Sequence, residues 1–298
     1  MEFMKNILYA GFFILILFLS AGNHCFAENR LRVEILPKVV KQGGVCLIRT
    51  SGPGSFHSIE GEFRGDKIPM ALELRSGTYE GFLGIDMDVR PGKYPIRLRA
   101  IGEGDKIYEG TSVLEVKKVH FKTQTLKLPP SMVELDSKTL IRVNQEAKRL
   151  EDLFAEVRAE RIWKGAFLRP VPGEISTAFG LRRVINRQTR NPHSGVDLRA
   201  EEGTPVWASN SGVASLVDEF FFSGKSVVID HGWGIYSMYF HLSEILVHEG
   251  DPVEKGSILG RVGSTGRSTG PHLHWGIKIH GARVDPLALL KLTERLQD

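Results

Sequence analysis

Cysteine is nearly absent from this sequence: Cys25 and Cys46 are the only two in 298 residues. Cys25 lies in an N-terminal segment that we expect to be removed. Cys46 lies in the apolar stretch Val45–Ile48, where we expect a buried thiol rather than a reactive one. One remaining cysteine excludes a disulfide framework and a cysteine-based zinc site. A metal centre in this chain would therefore use histidine and carboxylate ligands.

Low-complexity segments and long blocks of one charge are also absent, and the formal net charge is only +4. Such a mild positive excess suits an anionic cell-envelope surface better than nucleic acid, so no nucleic-acid partner is expected. The glycine-rich loop GRVGSTGRSTGP (260–271) matches neither GxGxxG nor GxxxxGKS/T, and HLHWGIKI follows it instead of a helix. A nucleotide-phosphate site is therefore disfavoured.

The N-terminal segment has the layout of a secretory signal peptide. Lys5 precedes an uncharged apolar run, Ile7–Ala21, and small residues before Glu28 offer a cleavage site. We predict a signal peptide over residues 1–27 and export to the periplasm, the cell envelope or the medium. An uncleaved membrane anchor is the alternative, but the run is shorter than the ~20 residues of a spanning helix.

Residues 28–117 are predicted to form a β domain. Leu31, Val33 and Ile35 alternate with polar residues, and turn signals such as Pro91-Gly92 recur between short apolar runs. About seven strands in this length suggest an immunoglobulin-like β-sandwich, although the Cys…Trp…Cys pattern of antibody domains is missing. No catalytic residue pattern occurs here.

Residues 118–164 are predicted to be a linker that contains an amphipathic helix over about 136–160. Apolar residues from Leu140 to Val157 follow each other at steps of three and four, which is one face of a helix. A helix packed along a neighbouring domain is favoured over a coiled coil, because three heptads is the minimum for the latter. Leu128-Pro129-Pro130 before it predicts a stiff connection. A partner protein for this helix or for the β domain stays an open alternative.

The last predicted domain, residues 165–298, contains seven of the ten histidines, all between His193 and His280. His193 and Asp197 lie four apart. In a straight strand their Cα atoms would be ~13 Å apart, but a bend at Ser194-Gly195 could bring them to one ion.

Two further segments of this domain carry histidines on predicted strands. VVIDHGWGIYSMYFHLS reads as a hairpin in which His231 serves the turn and His241 lies on the same strand face as Tyr239. In HLHWG, His272 and His274 point the same way, so both could reach one metal, or one could bind while the other acts on substrate. Catalytic zinc needs three protein ligands and an open position. Five candidate groups exceed what a closed structural site uses, which favours catalysis.

Four motifs resemble the lysostaphin/LytM-type zinc endopeptidases, which cleave peptidoglycan cross-link peptides. They are HSGVD, GTPVWASNSGVA, IDHGWGIYSMYFHL and GSTGRSTGPHLHWGI, and the resemblance covers roughly residues 165–290. It implies a mainly β fold with an antiparallel sheet under an open groove, one Zn²⁺ per chain and peptidoglycan peptides as substrate.

The resemblance also divides the roles of the candidate residues. It implies that His193, Asp197 and His274 are the zinc ligands. It further implies that His241 and His272 are catalytic, orienting and deprotonating the zinc-activated water and steadying the tetrahedral intermediate. A tyrosine that some members place shortly before the first ligand is missing, so its role is unassigned or falls to Arg190.

Two alternatives from other classes remain. Some relatives have lost their ligands and act as binding modules that activate amidases, but all five positions are filled here. The segments GTPVWASNSGVA and GDPVEKGSILG echo each other as in biotin- and lipoyl-carrier domains, yet Lys255 does not lie at a carrier-like hairpin tip. We interpret the echo as shared hairpin architecture.

Overall fold

The computed structural model describes residues 30–52, 55–73, 76–127 and 135–296. The fold is mainly β, as predicted. The predicted signal peptide, and with it Cys25, lies outside the described residues, as does Leu128-Pro129-Pro130. Within the described ranges, no helix combines the length and the apolar character needed to cross a membrane.

The N-terminal region is a β-sandwich of two sheets, ordered β1-β3-β7-β6 and β2-β9-β8-β4-β5. The first sheet corresponds to the A-B-E-D sheet of immunoglobulin-type sandwiches. The second sheet, without its edge strands β2 and β5, corresponds to their G-F-C sheet. The order supports the immunoglobulin-like class, which stays a prediction. The strands are β1 (Arg32–Leu36), β2 (Val39–Lys41), β3 (Val45–Ser51), β4 (Phe56–Phe63), β5 (Asp66–Pro69), β6 (Ala71–Glu73), β7 (Thr78–Gly84), β8 (Gly92–Gly102) and β9 (Ile107–Lys117).

Strict alternation builds the sandwich core. In β8, Ile96, Leu98 and Ala100 are buried while Arg97 and Arg99 are exposed, because successive side chains of a strand point to opposite faces. Cys46 is completely buried in this core, and burial raises the pKa of its thiol to about 12. The prediction of a buried thiol is confirmed, and the raised pKa disfavours the reactive thiolate.

The segment between the two β regions is more ordered than a linker. Strand β10 (Thr123–Leu126), which the sequence did not predict, pairs in parallel with β12 (Arg182–Ile185). Helix α1 (Ser137–Ala155) begins after Asp136, whose carboxylate accepts the Thr139 N–H at 2.7 Å. Its apolar face packs on Tyr236 and neighbouring strand residues, so the prediction of a helix packed along a neighbouring domain is confirmed.

Helix α1 ends at Ala155 rather than near residue 160, so the predicted C-terminal bound was wrong. The following residues are instead bound to the hairpin that contains His231. Tyr236 donates to the Glu156 carbonyl, and Trp233 N–H donates to the Arg158 carbonyl. Tertiary hydrogen bonds have replaced helical ones here, which local periodicity cannot reveal.

The C-terminal region is built on a ten-stranded sheet with the main order β11-β14-β21-β18-β17-β16-β19, to which β15, β20 and β22 attach. Its strands, together with the flanking hairpin β12–β13, pair in antiparallel fashion. The elements are β11 (Ile175–Thr177), β13 (Gln188–Arg190), β14 (Gly195–Arg199), β15 (Pro205–Trp207), β16 (Gly212–Phe220), β17 (Gly224–Asp230), β18 (Ile235–Ile245), β19 (Pro252–Val253), β20 (Ile258–Val262), β21 (His272–Ile279), β22 (Ala282–Val284) and α2 (Pro286–Arg295).

The sandwich docks on this sheet through a shared apolar core. Phe82 of β7 meets Trp163 edge-on at 5.3 Å between ring centroids, and Trp163 meets Trp233 at 6.1 Å. Arg283 donates to both carboxylate oxygens of Asp86 across the same interface. The domain bounds at 117/118 and 164/165 stay predictions, but the C-terminal core crosses both of them.

Candidate metal and catalytic site

Three candidate ligands converge at the adjacent strands β14 and β21. Asp197 and His274 are direct cross-strand partners, and His193 lies just before β14. The neighbours Leu198 and Leu273 are buried in the core, so alternation directs Asp197 and His274 to the opposite, open face of the sheet.

The three ligand atoms form a compact triangle. His193 Nε2 lies 2.8 Å from Asp197 Oδ1 and 2.9 Å from His274 Nδ1, and that Nδ1 lies 2.9 Å from the same Asp197 oxygen. Their side chains are between 8 and 11 % exposed. The chain thus bends before Gly195 and brings His193 to Asp197, as the sequence required for a common ion.

The protonation pattern of this triangle fits a cation rather than a set of hydrogen bonds. His193 Nδ1 lies 3.0 Å from the Ala178 carbonyl, which can only accept, so Nδ1 carries the hydrogen and Nε2 is the ring atom that turns to the triangle. His274 Nδ1 and the carboxylate oxygen Asp197 Oδ1 face His193 Nε2 at short distance. Atoms so spaced can all contact one divalent ion at the ~2.0–2.2 Å that nitrogen and oxygen ligands adopt.

The charges of the triangle also favour a bound cation. Burial by itself raises the pKa of the Asp197 carboxyl, but its contacts with His193 and His274 outweigh burial and hold that pKa well below its usual range. Burial lowers the pKa of His274, against the opposing pull of Asp197. The ring is therefore neutral beside an ionised carboxylate, which is the state of a metal ligand.

Gly195 makes this close approach of strands and ring possible. A Cβ at this position would lie 2.4 Å from the Trp275 carbonyl oxygen and 2.9 Å from His274 Nε2. Any larger residue would push β14 away from β21 or displace the His274 ring. The glycine of HSGVD therefore sets the position of the candidate ligand His274 beside it.

His272 and His241 lie next to the triangle but outside it. His272 Nδ1 lies 2.8 Å from the Gly270 carbonyl, and its Nε2 lies 3.8 Å from Asp197 Oδ1. His241 Nδ1 lies 2.8 Å from the Thr265 carbonyl, and the two rings are 4.8 Å apart. Because each Nδ1 donates to a backbone carbonyl, each Nε2 is left as an acceptor for another group.

The expected alternation fails at His241, and the prediction that it lies on the same face as Tyr239 was wrong. Tyr239 is buried in the core, whereas His241 has a φ of +67° and turns to the open face. Between the pairs Lys225–Leu242 and Val227–Tyr239, strand β18 has one residue more than β17, so His241 lies in a bulge. Bulges re-aim side chains in this way, often beside active sites.

Some groups that orient the candidate site residues could not be predicted from residue types. The Nδ1 partners of His193, His241 and His272 are all backbone carbonyls, which any residue supplies. Phe240 stacks on the His274 ring with centroids 5.5 Å apart, and its only sequence signal is its place next to His241. Arg190 lies on β13 and donates to Gln188, so the oxyanion role considered for it stays unassigned.

Comparison with known proteins gives one family. Residues 191–286, which include all five site residues, match the model of peptidase family M23. The DD-carboxypeptidase/endopeptidase Mpg of Neisseria meningitidis is 42% identical over 135 residues, which is 45% of this chain and 31% of the relative. The peptidoglycan DD-endopeptidase ShyB of Vibrio cholerae is 35% identical over 225 residues, or 74% of this chain and 45% of the relative.

A solved structure extends the likeness to most of the fold. The crystal structure of a candidate M23 peptidase from Pseudomonas aeruginosa has a TM-score of 0.65 and 28% identity, and the match covers 84% of this chain and 94% of that one. The chain spans less than half of the length of the two curated relatives. With the clustered histidines and aspartate inside the matched segment, residues 191–286 form a peptidase M23 domain of the LytM/lysostaphin family.

Proposed function

We propose that this protein is a zinc-dependent endopeptidase that hydrolyses peptide cross-links of bacterial cell-wall peptidoglycan. The observation that carries the proposal is the convergence of His193 Nε2, Asp197 Oδ1 and His274 Nδ1 beside two further imidazoles. Relatives named as DD-endopeptidases support a bond between D-amino acids as the target.

The metal role falls to His193, Asp197 and His274. Two imidazoles and one carboxylate form a donor set that suits Zn²⁺, one ion per chain. When bound, zinc supplies a Lewis acid and lowers the pKa of water that it binds. The carbonyl of Ala178 holds His193 in the tautomer that this role requires.

The proton-transfer role falls to His241 and His272. Burial lowers the pKa of His241 to about 4, so the ring is neutral at pH 7. With Nδ1 committed to the Thr265 carbonyl, its Nε2 can take a proton from an attacking water and, once protonated, donate a hydrogen bond to the developing oxyanion. His272, bound to the Gly270 carbonyl, presents Nε2 from the neighbouring strand in the same way.

The alternative of an inactive, amidase-activating module is disfavoured by the same atoms. A module without activity has no need for three convergent ligand atoms and two imidazoles with free Nε2 positions. Lys255, the residue considered for a carrier function, donates its ammonium to the Ala166 carbonyl instead of extending from a tip. Export is proposed with the function, because peptidoglycan lies outside the cytoplasm.

Digestion of purified sacculi tests the function. The zinc-loaded protein should release monomeric muropeptides from cross-linked ones, and a chelator should abolish the release. His248→Ala is a matched control, because the His248 side chain is 92% exposed and contacts Asp251 rather than the cluster. If zinc-loaded protein leaves sacculi of several cross-link chemistries intact while the fold is unchanged, the enzyme is excluded and the binding module takes its place.

A further inference from the structure

The β16–β17 turn, residues 221–223, is held from two sides, and one side is helix α1. The Glu146 carboxylate accepts the Phe221 N–H, with its two oxygens at 2.9 Å and 3.1 Å. One turn earlier on the helix, Arg142 donates to the Glu219 carbonyl at 3.0 Å. Arg142 also donates to Glu146 at 2.6 Å, which fixes the carboxylate beside the turn. Since hydrogen bonds to ionised groups are stronger than neutral ones, α1 secures the end of the β16–β17 hairpin.

On its other side, the β16–β17 turn contacts His241. The Ser223 carbonyl accepts the His241 N–H at 2.8 Å. The next residue, Gly224, packs on Thr265 so closely that a Cβ on Gly224 would lie 2.3 Å from Thr265 Oγ1. Thr265 Oγ1 accepts the Lys225 N–H at 2.9 Å, and the Thr265 carbonyl lies 2.8 Å from His241 Nδ1. The turn and the start of β17 therefore support the His241 backbone directly and its ring through Thr265.

His241 requires this support because its backbone lies in the left-handed region, with a φ of +67°. Residues other than glycine adopt this conformation at a cost in free energy, and they keep it where the surrounding structure enforces it. A displacement of about 1 Å in a reacting group can lower a rate by about a hundredfold. The position of the β16–β17 turn therefore affects how well His241 can transfer a proton.

We propose that Glu146 is a positioning residue, which orients His241 by fixing the β16–β17 turn. This inference rests on the proposed function. Glu146 lies in α1, outside residues 191–286 that match the peptidase model, so the segment before the matched domain contributes to the site. The Glu146 side chain is only 15% exposed. Asp152, a second carboxylate of α1, is 64% exposed and pairs with Lys148 of the same helix. Glu146 rather than α1 in general is therefore expected to act on the site.

Glu146→Ala in the zinc-loaded full chain tests the inference. Alanine is the best helix former, so α1 should persist while the Phe221 N–H loses its acceptor. The substrate is a muropeptide dimer isolated from sacculi that the wild type digests. We expect kcat to fall by about tenfold, as for the loss of one charged hydrogen bond, with KM little changed. Zinc content and urea denaturation, measured on the same preparation, should show an intact fold with its metal.

Two conservative variants separate the hydrogen bond from the fold. Glu146→Gln keeps an oxygen that accepts the Phe221 N–H, so it should retain most of kcat. Glu146→Asp keeps the charge but withdraws the acceptor by one carbon–carbon bond, so it should be as slow as Glu146→Ala. Asp152→Ala is the matched control on the same helix, and it should keep the wild-type kcat.

A double variant shows whether Glu146 acts through His241. In the His241→Asn background, Glu146→Ala should lower the residual rate no further, since residues that act as one unit are not additive. An equal fold-loss in both backgrounds, or a wild-type kcat in Glu146→Ala, would overturn the inference alone. If the wild type digests no sacculi, the proposed function fails, and this inference fails with it.

Discussion

Two groups of histidines lie at the same sheet and use their ring nitrogens differently. His231 is completely buried, with Nδ1 2.8 Å from the Ser211 carbonyl and Nε2 2.7 Å from the Ser237 hydroxyl. Its ring is saturated by protein groups. In the site, His193, His241 and His272 each give Nδ1 to a backbone carbonyl and direct Nε2 toward a common region.

Under the proposed function, this difference in hydrogen bonding separates a structural histidine from a ligand or catalytic one. A ring with both nitrogens paired inside the protein has no capacity left for a ligand or a proton relay. A ring with one nitrogen fixed and one lone pair exposed to its neighbours is oriented for chemistry. Burial alone does not discriminate, since it lowers the pKa of His231 and of His241 to about 4 in both places.

The largest expected effect is at the triangle. His274→Ala leaves two ligands, so the protein should lose its zinc and at least about a thousandfold of its hydrolytic rate. Zinc content by elemental analysis and muropeptide release from sacculi measure both effects. His231→Ala, at the other histidine, should keep one zinc per chain; if both variants bind zinc equally, the distinction between the two groups fails.

The second-largest effect is expected from the loss of a proposed proton-transfer group. His241→Asn keeps a residue type that tolerates the φ of +67°, so the bulge should persist. Hydrolysis should fall by about a hundredfold to ten-thousandfold with zinc retained. Activity and zinc content are measured on one preparation. A variant that keeps its rate would remove His241 from the reaction.

At the structural histidine, stability rather than activity should change. His231→Ala opens a cavity and leaves the Ser237 hydroxyl without its ring partner. We expect the free energy of unfolding to fall by about 3 to 4 kcal/mol. Urea denaturation of the zinc-loaded proteins gives this value. Unchanged stability together with lost hydrolysis would reverse the assignment of the two groups.

The smallest effect concerns pH. The pKa of His231 is about 4 in the folded protein and ordinarily near 6.5, so the unfolded chain binds the proton more tightly. The stability that neutral His231 provides is therefore complete above pH 6.5 and is lost as the pH falls toward 4. In the metal-free protein, the difference in unfolding free energy between the wild type and His231→Ala should therefore narrow by up to about 3 kcal/mol as the pH falls. A constant gap between pH 7 and 4.5 would contradict it.

Much of the site could be predicted because strand periodicity is local. The alternation in HLHWG places His272 and His274 on one face with Leu273 in the core, and the structure has this arrangement. Whether His193 and Asp197 meet could not be read from spacing, since it depends on the bend before Gly195. The division of roles between His272 and His274 stays a prediction, supported by the 2.9 Å and 3.8 Å distances to Asp197.

The sequence by itself determined the mainly β fold, the packed helix and the residue types of the cluster, because patterning and glycine placement act over a few neighbours. The tertiary structure decided what depends on distant partners. It placed His241 on the open face through a bulge, ended α1 at Ala155 and joined the sandwich to the peptidase core through Phe82 and Trp163. Each of these outcomes is set by hydrogen bonds or packing between segments far apart in the chain, which no local pattern records.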